Sequence, residues 1–255
     1  MSKYFIACFV YLLSCSKDDT KGEINNAVQK SCQSKIYDTC IDFNSLNNSI
    51  RDGDIEKPEA LKEIQTMLPK LKKYFYKNGG EDFLTSSWIF PVEGYSLTSI
   101  GGSEGSGYNP LDYDYFDGNK HGGHPAHDIF IKDNDQDCID DSKKNFVNVL
   151  SMTGGVVIAM ETNWDTTSNL RGGKYIWIYD PTSNSLIYYA HNNSVAVQMC
   201  DIVKPGDTIA TVGRTGLNAF KSRSPTHLRI MQLQLDNIQY PKPLDCYKDL
   251  KELAK

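Results

Sequence analysis

The chain has 255 residues, 40% hydrophobic content and a formal net charge of −5. That length allows one large domain or two modest ones with a real core. The acidic balance and the lack of a basic stripe argue against a nucleic-acid partner, and no stretch reaches the ~20 apolar residues of a membrane-spanning helix.

Lys3 and the apolar run Tyr4 to Leu13 have the make-up of a secretory signal. The run ends in Leu12-Leu13-Ser14-Cys15, which resembles a bacterial lipobox. Residues 1–14 would then be a lipoprotein signal peptide, with Cys15 lipidated and acyl chains tethering the chain to a bilayer. An ordinary secretory signal with a chance cysteine is the alternative. The expected location is the bacterial cell envelope, as a membrane-anchored lipoprotein of the outer membrane. Ser16-Lys17-Asp18-Asp19 either marks surface export or belongs to a solvated tether over 15–23.

Residues 24–86 read as a small helical region. Ile24, Val28, Ile36, Ile41, Leu46 and Ile50 recur at three- and four-residue spacing, and Arg51-Asp52-Gly53-Asp54 breaks the pattern. Pro58 opens a second helix carrying Leu61, Ile64, Leu68, Leu71 and Phe75, with a kink expected at Pro69 and an end at Asn78-Gly79-Gly80. These helices either pack against the C-terminal domain, act as a spacer, or dock a partner.

From Trp88 the texture is of short strands between Gly, Pro and Asp turns. Strands are expected near 129–132, 155–161, 174–179, 186–190, 208–212 and 226–234. This predicts a mainly β fold, an antiparallel sandwich or open barrel over 87–245, with 246–255 as a C-terminal tail. The acidic stretch Asp133 to Asp141 lacks the glycine and terminal glutamate of an EF-hand and reads as a solvated loop. Beyond Cys8 and Cys15, five cysteines remain, so at least one is unpaired within a monomer; Cys32 with Cys40 is the preferred disulfide.

All five histidines fall in the β region: His121, His124 and His127 beside Asp128, then His191, then His227. In an extended chain His124, Ala126 and Asp128 share one face and His127 the other. A histidine and a carboxylate on one face suit a divalent metal. A surface hydrogen bond between them would explain the spacing equally well. His191 ends one strand, and His227 shares a face with Arg229 in another.

The stretches HPAHD, GGVVIA, YYAHNN, VKPGDTIATVGRTG and SPTHL, in that order, resemble the lysostaphin-type (LytM-like) zinc metallopeptidases, which cut cross-linking peptides of bacterial peptidoglycan. The resemblance covers about Trp88 to Leu235. It implies one zinc ion held by His124 and Asp128, with His191 and His227 moving protons and steadying the oxyanion. Peptidoglycan peptides are the implied partner. The family's third ligand position holds Arg229, and a guanidinium offers five donors and no lone pair for a metal.

Three readings of Arg229 stay open. Another group, His121 or a free cysteine, supplies the missing ligand. Alternatively Arg229 pairs with Asp128 and leaves a metal-free groove. In the third, a local bulge turns Arg229 out of the site. The functional expectation is a lipid-anchored metalloendopeptidase of the cell wall. Its alternative is an inactive LytM-like domain that binds wall peptide or activates a partner wall hydrolase.

Overall fold

The computed structural model describes residues 39–254, which lie within the compact unit Ile36–Lys255. The signal segment, Cys15, the tether, Cys32 and residues 24–38 lie outside the described residues. Residues 39–52 form helix α1, which stops where Gly53 adopts a φ of +79°. Helix α2 (Lys57–Lys77) starts with a proline in its first turn and runs through Pro69 as a single helix. Pro69 and its neighbour Lys70 are exposed, so the missing backbone donor faces water. Asn78 caps α2, and the Gly80 N–H closes back on the Phe75 carbonyl at 2.9 Å.

The β region has ten strands: β1 (His127–Phe130), β2 (Asn148–Leu150), β3 (Gly155–Glu161), β4 (Tyr175–Asp180), β5 (Ser185–Ala190), β6 (Ser194–Val195), β7 (Ile202–Val203), β8 (Thr208–Thr211), β9 (His227–Leu235) and β10 (Pro241–Leu244). A seven-stranded sheet runs β1-β9-β5-β4-β3-β7, with β10 also on β9, and a three-stranded sheet runs β2-β8-β6. All pairings are antiparallel and both sheets are open, as the sequence pattern predicts. The short strands β2, β6, β7 and β10 are additions to the predicted set.

Alternation along the large sheet divides the core in two. Val157, Ile176, Ile178, Ile187, Tyr189, Leu228 and Ile230 pack toward the small sheet, with Val149, Ile209 and Ala210. Their neighbours Val156, Ile158, Tyr175, Trp177, Tyr179, Leu186, Met231 and Leu233 pack against Phe43, Leu46, Ile50, Ile64, Leu68 and Leu71 of α1 and α2. Each such side chain, fully buried, contributes roughly 1.5–3 kcal/mol. The helices are thus a layer of this domain. The segment read as a tail includes helix α3 (Tyr247–Leu253), with Cys246 and Leu250 buried in the inter-sheet core.

The disulfide expectation is corrected. Cys40 bonds to Cys200, not to Cys32, because Cys40 sits on the inward face of α1 against the turn that leads into β7. Cys138 and Cys246 are free thiols.

Candidate functional site

Three adjacent strands converge on one point of the helix-facing side of the large sheet. Arg229 of β9 lies in register with Asp128 of β1 and, on its other flank, with Ala190 of β5, the residue before His191. Neither pairing has a register shift there. Arg229 therefore points where the pleat sends it, onto Asp128, and the bulge reading is excluded. Its Nε donates to Asp128 Oδ1 at 2.9 Å and its Nη2 to Oδ2 at 3.3 Å.

His124 and His227 stand beside the same carboxylate. Their Nε2 atoms lie 3.3 Å and 3.7 Å from Asp128 Oδ2. The rings of His191 and His227 are 4.8 Å apart, edge to face. The structure thus brings His124, Asp128, His191, His227 and Arg229 together. His127 points to the opposite face, as alternation predicts, where its Nε2 meets Asp245 Oδ1 at 2.8 Å and its ring stacks on Tyr108.

The three site histidines share one tautomeric arrangement. Nδ1 of His124 contacts the Gly107 carbonyl at 3.0 Å, that of His191 the Thr215 carbonyl at 2.7 Å, and that of His227 the Pro225 carbonyl at 2.7 Å. Since a carbonyl only accepts, each Nδ1 is the donor, and a ring in its neutral form then carries its lone pair on Nε2. For His124 that Nε2 is buried without a hydrogen-bond partner.

Electrostatics follow from this crowding. Burial pushes the Asp128 carboxyl up, but the Arg229 charge, with His124 and His227 beside it, outweighs burial and holds it well below the usual carboxylate range. Burial, then the Arg229 charge, then His227 keep His191 well below the ordinary histidine value. Burial also lowers His227, against the pull of Asp128. Both rings are neutral near pH 7, and they are only 2% and 3% exposed.

The loops that aim these groups are tightly built. His191 adopts φ +68°, a conformation uncommon for a non-glycine residue, held by its N–H on the Gly172 carbonyl. Gly216 and Gly172 are sterically required: a Cβ on Gly216 would come within 2.9 Å of His191 Nδ1, and one on Gly172 within 1.9 Å of the Tyr188 hydroxyl. Arg214 is buried and donates to the carbonyls of Ser224 at 2.6 Å and Lys221 at 3.0 Å and to the Thr226 hydroxyl at 3.2 Å. The Thr226 hydroxyl in turn donates to Asp133 at 2.5 Å, fixing the residue before His227. Sequence reasoning missed Arg214, Thr226 and Gly172 as positioning residues. Arg214 stands inside the VGRTG stretch, but nothing local says that its side chain turns inward.

Two hollows meet at the site. One, of about 350 Å³, is lined by His121, His124, Arg171, Tyr188, Arg229 and Met231 among others. It shares His121, Arg171, Gly172, Tyr188 and Met231 with a second of about 540 Å³ that extends to Asn47, Ile50 and Arg51 of α1. His191 and His227 line neither hollow.

Residues 136–239 match the model of peptidase family M23. That segment of the β region is therefore similar to the M23 peptidase domain. The match contains His191, His227 and Arg229 and begins after His124 and Asp128. Among similar solved structures is a proposed glycyl-glycine endopeptidase, lytM, from Ruminococcus gnavus, at 26% identity over 66% of this chain and 62% of that one, with a TM-score of 0.44. The catalytic domain of the antimicrobial peptidase lysostaphin from Staphylococcus simulans matches at 22% identity over 60% and 95%, TM-score 0.37. A zinc-containing peptidase from Vibrio cholerae matches at 20% over 63% and 39%, TM-score 0.39. The chain therefore spans less than two thirds of the Ruminococcus protein and well under half of the Vibrio one.

Zinc chemistry is what the resemblance to lysostaphin-type metallopeptidases implies, and the donors in place do not complete a zinc site. His124 Nε2 and the Asp128 carboxylate could form one edge of it. Catalytic zinc takes three protein ligands, and the third position is filled by a cation already hydrogen-bonded to Asp128. His121 does not supply the lack, since it forms no donor trio within 4.8 Å with His124 and Asp128. Among the described residues the one trio of acidic, histidine or cysteine donors within 4.8 Å of one another is Asp133, Asp135 and Asp137. There Asp133 is occupied by Thr226 and by the backbone N–H groups of Asp137 and Cys138.

Proposed function

We propose that this M23-type domain binds peptides of the bacterial cell wall without cutting them, at the envelope, to which a lipidated Cys15 would tether it. The observation that carries this reading is Arg229 seated on Asp128 through two hydrogen bonds. A protein-borne positive charge takes the place of the ion, and the groove keeps its shape. The burial of His191 and His227 away from both hollows supports the same reading, since a proton-transfer pair must reach the scissile group. A domain of this kind serves as a wall anchor or positions a partner hydrolase.

The test is direct. Purified protein should co-sediment with peptidoglycan sacculi and release no new peptide ends over a day. Release of ends by the wild type, lost in His191→Ala, would overturn it.

A second reading, an active zinc endopeptidase, is favoured by one observation: the buried, unpartnered Nε2 of His124 facing a carboxylate, an arrangement that a cation would satisfy. It requires Arg229 to swing off Asp128, and it predicts sacculus cleavage that a chelator abolishes.

A further inference from the structure

Arg171 has no acidic partner among the described residues. Its backbone N–H donates to Asn119 Oδ1 at 3.0 Å and its Nη1 to the His121 carbonyl at 2.6 Å. The side chain is therefore anchored at one donor and keeps four. It lines the same hollow as Arg229. Arg229 spends its Nε and one Nη2 hydrogen on Asp128 and has no other hydrogen-bond partner among the described residues. The Nη1–Nη2 edge of the fork, which binds carboxylates in a bidentate manner, is unspent.

The charge count is uneven. Two guanidinium groups line this space and one carboxylate, Asp128, is bonded to Arg229 from outside the lining, while His121 is lowered by burial and by both arginines and is neutral near pH 7. One positive charge is left over. Burial and then the Arg229 charge act against the Arg171 cation, so a fixed cation pair is held together at a cost that one bound anion would offset. Beside the His124 imidazole, the remaining lining of Pro125, Ala126, Gly172, Tyr188 and Met231 is apolar or phenolic and suits a short aliphatic stem.

We propose that the hollow between Arg171 and Arg229 is a carboxylate-binding site that takes the free carboxylate of a short peptide. The proposal rests on the peptide-binding reading and supplies its specificity. A monovalent carboxylate balances the single excess charge, whereas a phosphate dianion would overshoot it.

The experiment is calorimetry on the mature chain with N-acetyl-trialanine and its C-terminal amide, alongside sacculus sedimentation. The acid should bind at least tenfold more tightly than the amide. Arg171→Gln should remove that preference while the melting temperature holds, and Arg171→Lys should restore only part of it. Tenfold excess inorganic phosphate should leave the acid bound. Equal binding of acid and amide, or none, overturns the carboxylate site, as does displacement by phosphate. Sacculus binding that persists in those cases leaves the peptide-binding reading standing. Loss of sacculus binding with an intact acid preference sinks that reading and leaves the carboxylate site.

Discussion

Arg229 and Asp128 are register partners on neighbouring antiparallel strands, and their side chains close a two-point ion pair with Nε–Oδ1 at 2.9 Å. The pair stands at the positions where the sequence resemblance implies two metal ligands. Removing one member leaves the other uncompensated. A fully buried pair broken in this way costs about 3–5 kcal/mol. Here the two side chains keep 24% and 20% exposure, so we expect about 2 kcal/mol for Arg229→Gln. Combining it with Asp128→Asn removes the stranded charge, and denaturant titration should show the double variant more stable than the Arg229→Gln single.

The site should make the fold acid-sensitive in two steps. His191 and His227 have folded pKa values below their unfolded value of about 6.5, so the unfolded chain binds more protons as pH falls below that point. Stability should therefore decline from about pH 6.5 downward. Asp128, also depressed, contributes stability that is complete above about pH 4 and lost as pH falls through its folded value. Thermal melts between pH 7 and 5 should lose their slope in part in His191→Gln. An unchanged slope would show that His191 is not a buried neutral ring.

The Cys40–Cys200 bond closes a loop across a sequence separation of 160 residues and ties α1 to the sheet. Chain-entropy arguments give about 5 kcal/mol for a loop of that size, and measured values are commonly 2–4 kcal/mol. Cys200→Ala should lower the melting temperature and remove the effect of reductant on it. Cys32→Ala should do neither.

Gly172→Ala should be severe for its size. The added methyl would collide with the Tyr188 hydroxyl, and the Gly172 carbonyl holds His191. We expect a loss of about 1–3 kcal/mol from overpacking, read by denaturation. Relief by Tyr188→Phe, which removes the colliding oxygen, would identify the cause.

The large strands were legible because Val157, Ile176, Ile178 and Ile187 alternate with their helix-facing neighbours in long runs. The two-residue strands β6 and β7 carry too few residues for a period to show. The site was legible as far as strand pleating governs it: His124 with Asp128, His227 with Arg229, and His127 on the other side. Arg171 was not, because its loop owes its place to hydrogen bonds with Asn119 and His121, some fifty residues earlier. The Cys40–Cys200 pairing was hidden for the same reason. Cys32 is near Cys40 in sequence, but the inward face of α1 meets the turn that leads into β7.

Zinc bound per chain tests the central claim most directly, measured by elemental analysis on the full mature protein purified with zinc present. The Arg229–Asp128 pairing predicts well under one equivalent in the wild type, rising toward one in Arg229→His as the guanidinium gives way to an imidazole lone pair. One tightly held equivalent in the wild type, lost in Asp128→Ala, would contradict it.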